Sequence, residues 1–75
     1  MKGFEFLRED KAAEELGVFR VFSRLYPQEP RAWNGLGDAY IARADTVNAV
    51  ASFREALKLQ PENARAAAAL KWLGK

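Results

Sequence analysis

A spacing of 34 residues constrains this chain more than any other feature. Pro27 and Pro61 stand 34 positions apart. In that register Gly3 meets Gly37, Phe6 meets Tyr40, Leu7 meets Ile41, Leu16 meets Val50, Phe19 meets Phe53, Arg20 meets Arg54 and Leu25 meets Leu59. Arg31 likewise falls on Arg65, Ala32 on Ala66 and Leu36 on Leu70. A repeat of this length is one supersecondary unit, and such a unit buries its apolar face only by stacking on neighbours. Within 75 residues there is space for one whole unit and parts of two more.

Proline sets the boundaries, because its ring blocks a helix interior. Pro27, Pro30 and Pro61 divide the chain into residues 1–26, 31–60 and 62–75. Ala, Leu, Arg, Glu and Lys are frequent, so each block reads as helical. The middle block is too long for one ordinary helix and is interrupted at Ala44-Asp45-Thr46, where Asp45 or Thr46 can cap a new helix. Two antiparallel helices are expected there, over about 31–43 and 47–59. The first block divides in the same way at Glu9-Asp10-Lys11, with Asp10 as N-cap of a helix reaching about Leu25. The last block gives a helix over 64–73 that ends at Gly74. The expectation is all-α, with about five helices, the first one short.

Composition removes several classes of chemistry. The chain has no cysteine and no histidine, so it lacks disulfides, thiolate metal sites and the commonest general base. Its net charge is +2, from 12 basic and 10 acidic residues of mixed order, which gives no basic stripe for nucleic acid. No apolar run approaches the ~20 residues that span a bilayer. Early charge in Met1-Lys2-Gly3-Phe4-Glu5 argues against a signal peptide, so the compartment is unknown, cytoplasmic by default.

The residues Trp33-x2-Leu36-Gly37-x2-Tyr40, then Ala49-x3-Phe53-x2-Ala56, then Pro61 resemble the tetratricopeptide repeat, whose period is 34 residues. The match is complete over residues 30–63. Upstream, Gly3, Phe6, Phe19 and Pro27 fit, but Glu15 and Phe22 replace small alanines. Downstream, Leu70 fits, while Ala67 replaces the tryptophan. The pattern also has a physical reason. Gly37, Ala49 and Ala56 let backbones approach, and the Trp33, Tyr40 and Phe53 rings fill the space beside them. The resemblance implies antiparallel helical hairpins stacked as a short right-handed solenoid. It implies one domain over 1–75, with a partial repeat at 1–29, the complete repeat at 30–63 and a capping helix at 64–75.

The family favours glycine at the turn between paired helices, where this chain has Asp10 and Ala44. Alanine in a left-handed conformation costs roughly 1–2 kcal/mol. Either the turn takes another geometry, which is the expectation, or the hairpin opens, two helices fuse and protomers exchange halves. The first repeat also starts late, as in a truncated module, leaving an apolar surface near Phe4 and Phe6.

By resemblance, the concave face of such a solenoid holds an extended peptide. Its lining positions here are Phe4, Leu7 and Arg8, then Arg31, Asn34, Asp38 and Ile41, then Arg65, Ala68 and Trp72. The asparagine positions of a carboxylate clamp are Gly35 and Ala69, so that clamp is absent. Blander roles stand beside each of these. Trp72 can cover the last hairpin, Arg31 and Arg65 can be solvated, and Asn34 and Asp38 can decorate a helix surface. The expected function is a non-catalytic protein–protein interaction module that binds a peptide or partner protein and also self-associates as a homo-oligomer, with domain swapping as one route. The alternative is a C-terminal docking segment of a larger hydrolase-type enzyme. No cofactor, metal, catalytic residue, nucleic acid, membrane or small-molecule substrate is expected.

Overall fold

The computed structural model describes the backbone of residues 2–74 and the side chains of residues 11 and 13–74. Among the described residues there are four helices and no strand. They are α1 (Lys2–Leu25), α2 (Pro30–Ala42), α3 (Thr46–Leu59) and α4 (Ala64–Trp72). The principal contacts join α1 to α2, α2 to α3 and α3 to α4, so each helix rests on its neighbours in sequence.

Each boundary has a local cause. Glu29 caps α2, accepting the backbone N–H of Arg31 at 3.2 Å, and Pro30 takes the first turn, where its missing N–H goes unused. Asp45 caps α3 by accepting from Asn48 N at 3.2 Å. Asn63 caps α4 by accepting from Ala66 N at 2.9 Å. Of the two caps proposed for α3, Asp45 serves and Thr46 is the first helical residue. Pro27 and Pro61 follow shortly after the ends of α1 and α3, as expected.

The turn at 43–45 keeps the geometry that glycine would favour. Ala44 has φ of 59°, in the left-handed region. Ala44 N–H donates to the Ile41 carbonyl and Asp45 N–H to the Tyr40 carbonyl, both at 2.8 Å. These two bonds form a Schellman motif, which satisfies carbonyls the helix end would leave free. The expected change of turn geometry is therefore corrected here: alanine adopts the strained conformation.

At Glu9-Asp10-Lys11 the expectation fails in the opposite sense. These residues lie inside α1, a single helix of 24 residues, so there are four helices and not five, and Asp10 is no N-cap. One helix of that length reaches about 36 Å, in keeping with a longest molecular dimension of 42 Å. Two equivalent segments of the repeat, 9–11 and 43–45, thus take opposite courses. Glu15 and Phe22 supply a reason, because they stand where α3 has Ala49 and Ala56, both fully buried. Small residues there allow close helix approach, and a charged or bulky one opposes it.

The core consists of Ala32, Leu36, Ala39, Ala49, Val50, Phe53, Ala56 and Ala66, with Phe53 the largest side chain fully enclosed. Trp33, Tyr40, Ile41, Leu57, Ala69, Leu70 and Leu73 pack around it. A Cβ on Gly37 would lie 2.6 Å from Phe53 Cζ, closer than atoms can approach. Only glycine lets the ring lie against that backbone.

Ala44→Gly should raise stability. Removing the Cβ relieves about 1–2 kcal/mol of strain, against roughly 0.4–1 kcal/mol of added freedom in the unfolded chain. Urea unfolding should show a midpoint shifted upward by a net gain of up to about 1.5 kcal/mol, and a lowered midpoint would show that the turn carries no such strain.

Candidate functional site

The helix caps bring α2 and α4 alongside each other at one surface. Asn63, 6% exposed, serves both, because its Oδ1 accepts from Ala66 N at 2.9 Å and from Asn34 Nδ2 at 3.2 Å. Asn34 is thus a structural tie between α2 and the start of α4. One turn further on, Arg65 donates to Asp38 across the same pair of helices. Both side chains of this pair are well exposed, so it contributes at most about 1 kcal/mol to stability. It does fix where its charged groups stand.

Beside that ion pair lies a hollow of ≈ 330 Å³, lined by Asp38, Ile41, Arg65, Ala68, Ala69 and Trp72. Trp72 is 73% exposed and so covers no hairpin. Four of the residues assigned to binding from sequence, Asp38, Ile41, Arg65 and Trp72, therefore share one depression, joined by Ala68 from the same set of lining positions. Asn34 is engaged elsewhere. Arg31 is also apart, since its Nε donates to Glu29 Oε1 at 3.0 Å on the exposed first turn of α2. The side chains of Phe4, Leu7 and Arg8 lie outside the described residues.

The Glu29–Arg31 pair carries the resolved electrostatic perturbations. The side-chain hydrogen bond from Arg31, reinforced by its backbone N–H, holds the Glu29 carboxyl below its ordinary range, and the same side-chain bond raises the Arg31 guanidinium.

Two contacts were not legible beforehand. Gly35, read from sequence only as a missing clamp position, receives the Phe19 ring so closely that a Cβ there would overlap it. The signal available was the offset of 34, which places Gly35 on Ala69, a neighbour of the Phe53 cluster. The second contact is Trp33, whose Nε1 donates to the Pro27 carbonyl at 2.9 Å and ties α2 to the loop before it.

All-helical architecture, a helical pair of set length and rings seated on glycines define a helical-repeat protein. A family model described as tetratricopeptide repeat matches residues 30–63, so the chain carries a tetratricopeptide repeat there. It is similar to the tetratricopeptide repeat domain-containing protein PYG7, chloroplastic, of Arabidopsis thaliana, with 36% identity over 61 residues, covering 81% of this chain and 20% of that protein. It is also similar to the cell division cycle protein 27 homolog of Caenorhabditis elegans, with 30% identity over 61 residues, 81% of this chain and 8% of that protein. The chain thus spans a fifth or less of the length of these relatives. No solved structure matches it significantly. Tetratricopeptide repeats generally mediate protein–protein interaction and are generally non-catalytic. The alternative of a hydrolase docking segment gains nothing from these relatives. Among the described residues no helix is long and apolar enough to cross a membrane.

Gly35→Ala should cost about 1–3 kcal/mol by overpacking Phe19. Gly17→Ala, with open space around the new Cβ, should instead gain roughly 0.5–1 kcal/mol. Urea titration of both variants checks this, and equal midpoints would remove the close contact. Glu29 supplies a pH signature. Its depressed folded-state pKa means that its contribution is present above the unfolded value, near 4.3, and is lost as pH falls through the lower folded value. Glu29→Gln should therefore flatten the stability curve below about pH 4, as followed by circular dichroism.

Proposed function

We propose that the chain is a non-catalytic interaction module that binds an extended segment of a partner protein on its concave side. The observation that carries this reading is the hollow between α2 and α4, where an exposed tryptophan, Ile41 and two alanines adjoin the Asp38–Arg65 pair. Aromatic residues left in water beside an apolar floor are costly unless something covers them. The hollow, at ≈ 330 Å³, is at the small end of ligand pockets and takes one or two side chains of an extended peptide. An apolar residue of that peptide would sit on Trp72 and Ile41. Its backbone would meet Asp38 as acceptor and Arg65 as donor. Since the two charges offset each other, the partner is selected by an apolar anchor more than by net charge. Residues 64–75 act as a cap in this reading, and the module also self-associates.

The test is a random-peptide display screen on the immobilised chain. Each selected peptide is then titrated against Trp72→Ser and, separately, Asp38→Lys. Trp72→Ser should weaken binding at least tenfold, with helical content unchanged because this side chain supports no core contact. Selected peptides that bind both variants as well as the parent chain would place recognition elsewhere and overturn the assignment.

A further inference from the structure

We propose that the hollow between α2 and α4 takes an uncharged segment of its partner, and that Asp38 is its specificity determinant, cancelling an arginine that would otherwise draw acidic sequences. This rests on the binding reading above and names the class of segment that the same site accepts.

The case begins with one stripe of α2. Arg31, Asn34, Asp38 and Ile41 follow the i, i+3, i+7, i+10 spacing that keeps residues on one helix face. Each of the three polar members is already engaged inside the chain. Arg31 Nε donates to Glu29 Oε1 at 3.0 Å, Asn34 Nδ2 donates to Asn63 Oδ1 at 3.2 Å, and Arg65 donates to Asp38. Asn34 Oδ1 has no partner, but it is buried and out of reach of an arriving side chain. Ile41 is the apolar member, and it lines the hollow with Ala68, Ala69 and Trp72.

The distribution of ion pairs sharpens the contrast. Among the described residues there are two, Glu29–Arg31 and Asp38–Arg65. Arg31 and Arg65 stand 34 residues apart and so occupy one repeat position. Their carboxylates do not repeat, because the counterparts of Glu29 and Asp38 one unit later are Asn63 and Trp72. Charge cancellation at this position is therefore kept although the pairing that achieves it changes. Exposed Arg20, Arg24, Arg43, Arg54 and Lys58 have no such partner among the described residues.

Stability does not account for the Asp38–Arg65 pair. Both side chains are well exposed, exposed pairs contribute little, and the Asn34–Asn63 bond already ties α2 to the start of α4. What the pair changes is the field that a ligand meets. A charged side chain entering beside it gives up hydration and finds an attraction and a repulsion that nearly cancel. An uncharged apolar side chain gives up little and buries its surface on Trp72 and Ile41. The groups of Asp38 and Arg65 that do not face each other remain for the peptide backbone, which every sequence presents alike. Discrimination thus comes from what the hollow refuses as well as from what it holds.

The probe is a peptide from the display screen whose binding Trp72→Ser weakens, resynthesised with Ser, Asp or Lys beside its apolar anchor. The parent chain should bind the Ser version at least tenfold more tightly than the Asp or Lys version, with an affinity that added salt leaves unchanged. Asp38→Asn frees Arg65 and should bind the Asp version at least tenfold more tightly than the parent does, a gain that added salt should abolish. Arg65→Gln frees Asp38 and should do the same for the Lys version. Asp38→Arg combined with Arg65→Asp restores a neutral pair and should restore the preference for Ser. Circular dichroism should show equal helical content in all of these chains, since the pair is exposed. A parent chain that binds a charged version as tightly as the Ser version, or single variants that keep the parent's charge preference, would overturn this inference and leave the binding site in place. Selected peptides that all ignore Trp72 would overturn the proposed function, and this inference with it.

Discussion

The Phe53 ring lying against the Gly37 backbone is the contact on which the rest of the structure depends. Phe53 is fully buried, and a Cβ at residue 37 would meet its ring at 2.6 Å. Burying a phenylalanine contributes about 1.5–3 kcal/mol, and fully buried Ala49 and Ala56 bring further area out of water beside it. That gain outweighs the roughly 1–2 kcal/mol of strain at Ala44, so the turn closes although alanine is a poor residue for it. With the turn closed, Asp45 is available to cap α3, and α3 in turn supports α4. The hollow at Asp38, Ile41, Arg65 and Trp72 is thus a distant consequence of one missing side chain at residue 37.

The first repeat lacks this balance. Its Phe19 finds Gly35, but its alanine positions are taken by Glu15 and Phe22. Closing a turn at Asp10 would strain the backbone and bring Glu15 toward a helix face that α3 reserves for a methyl group. Continuing the helix retains the backbone hydrogen bonds and incurs neither cost. Local sequence alone did not disclose this. Asp10 is as good an N-cap as Asp45 by residue type, and propensity does not distinguish them. What distinguishes them is the tertiary contact each turn makes possible.

Much of the remainder was legible. The prolines marked the ends of α1 and α3, Pro30 marked the start of α2, and the 34-residue register located the core rings before any coordinates. Apart from the start of α1, helix ends fell within about a residue of the positions read from sequence. The family resemblance placed Asp38, Ile41, Arg65 and Trp72 among the lining positions, and the structure sets all four around one hollow between α2 and α4. The candidate site was not legible at Asn34 and Arg31. Their hydrogen bonds to Asn63 and Glu29 depend on where caps bring side chains, and a cap is specified by backbone dihedrals that residue type constrains only loosely. The 73% exposure of Trp72 was equally hidden, since a helix face is either covered or bare according to what lies beyond it.

The two open surfaces differ in kind. At α4 the surface is a depression in which Asp38 and Arg65 are already paired with each other. At α1 the surface carries Val18, Val21 and Leu25, each more than half exposed, and the counterpart of Val18 in α3, Ser52, is buried. α2 and α3, which hold the Phe53–Gly37 contact, join α1 on one side and α4 on the other.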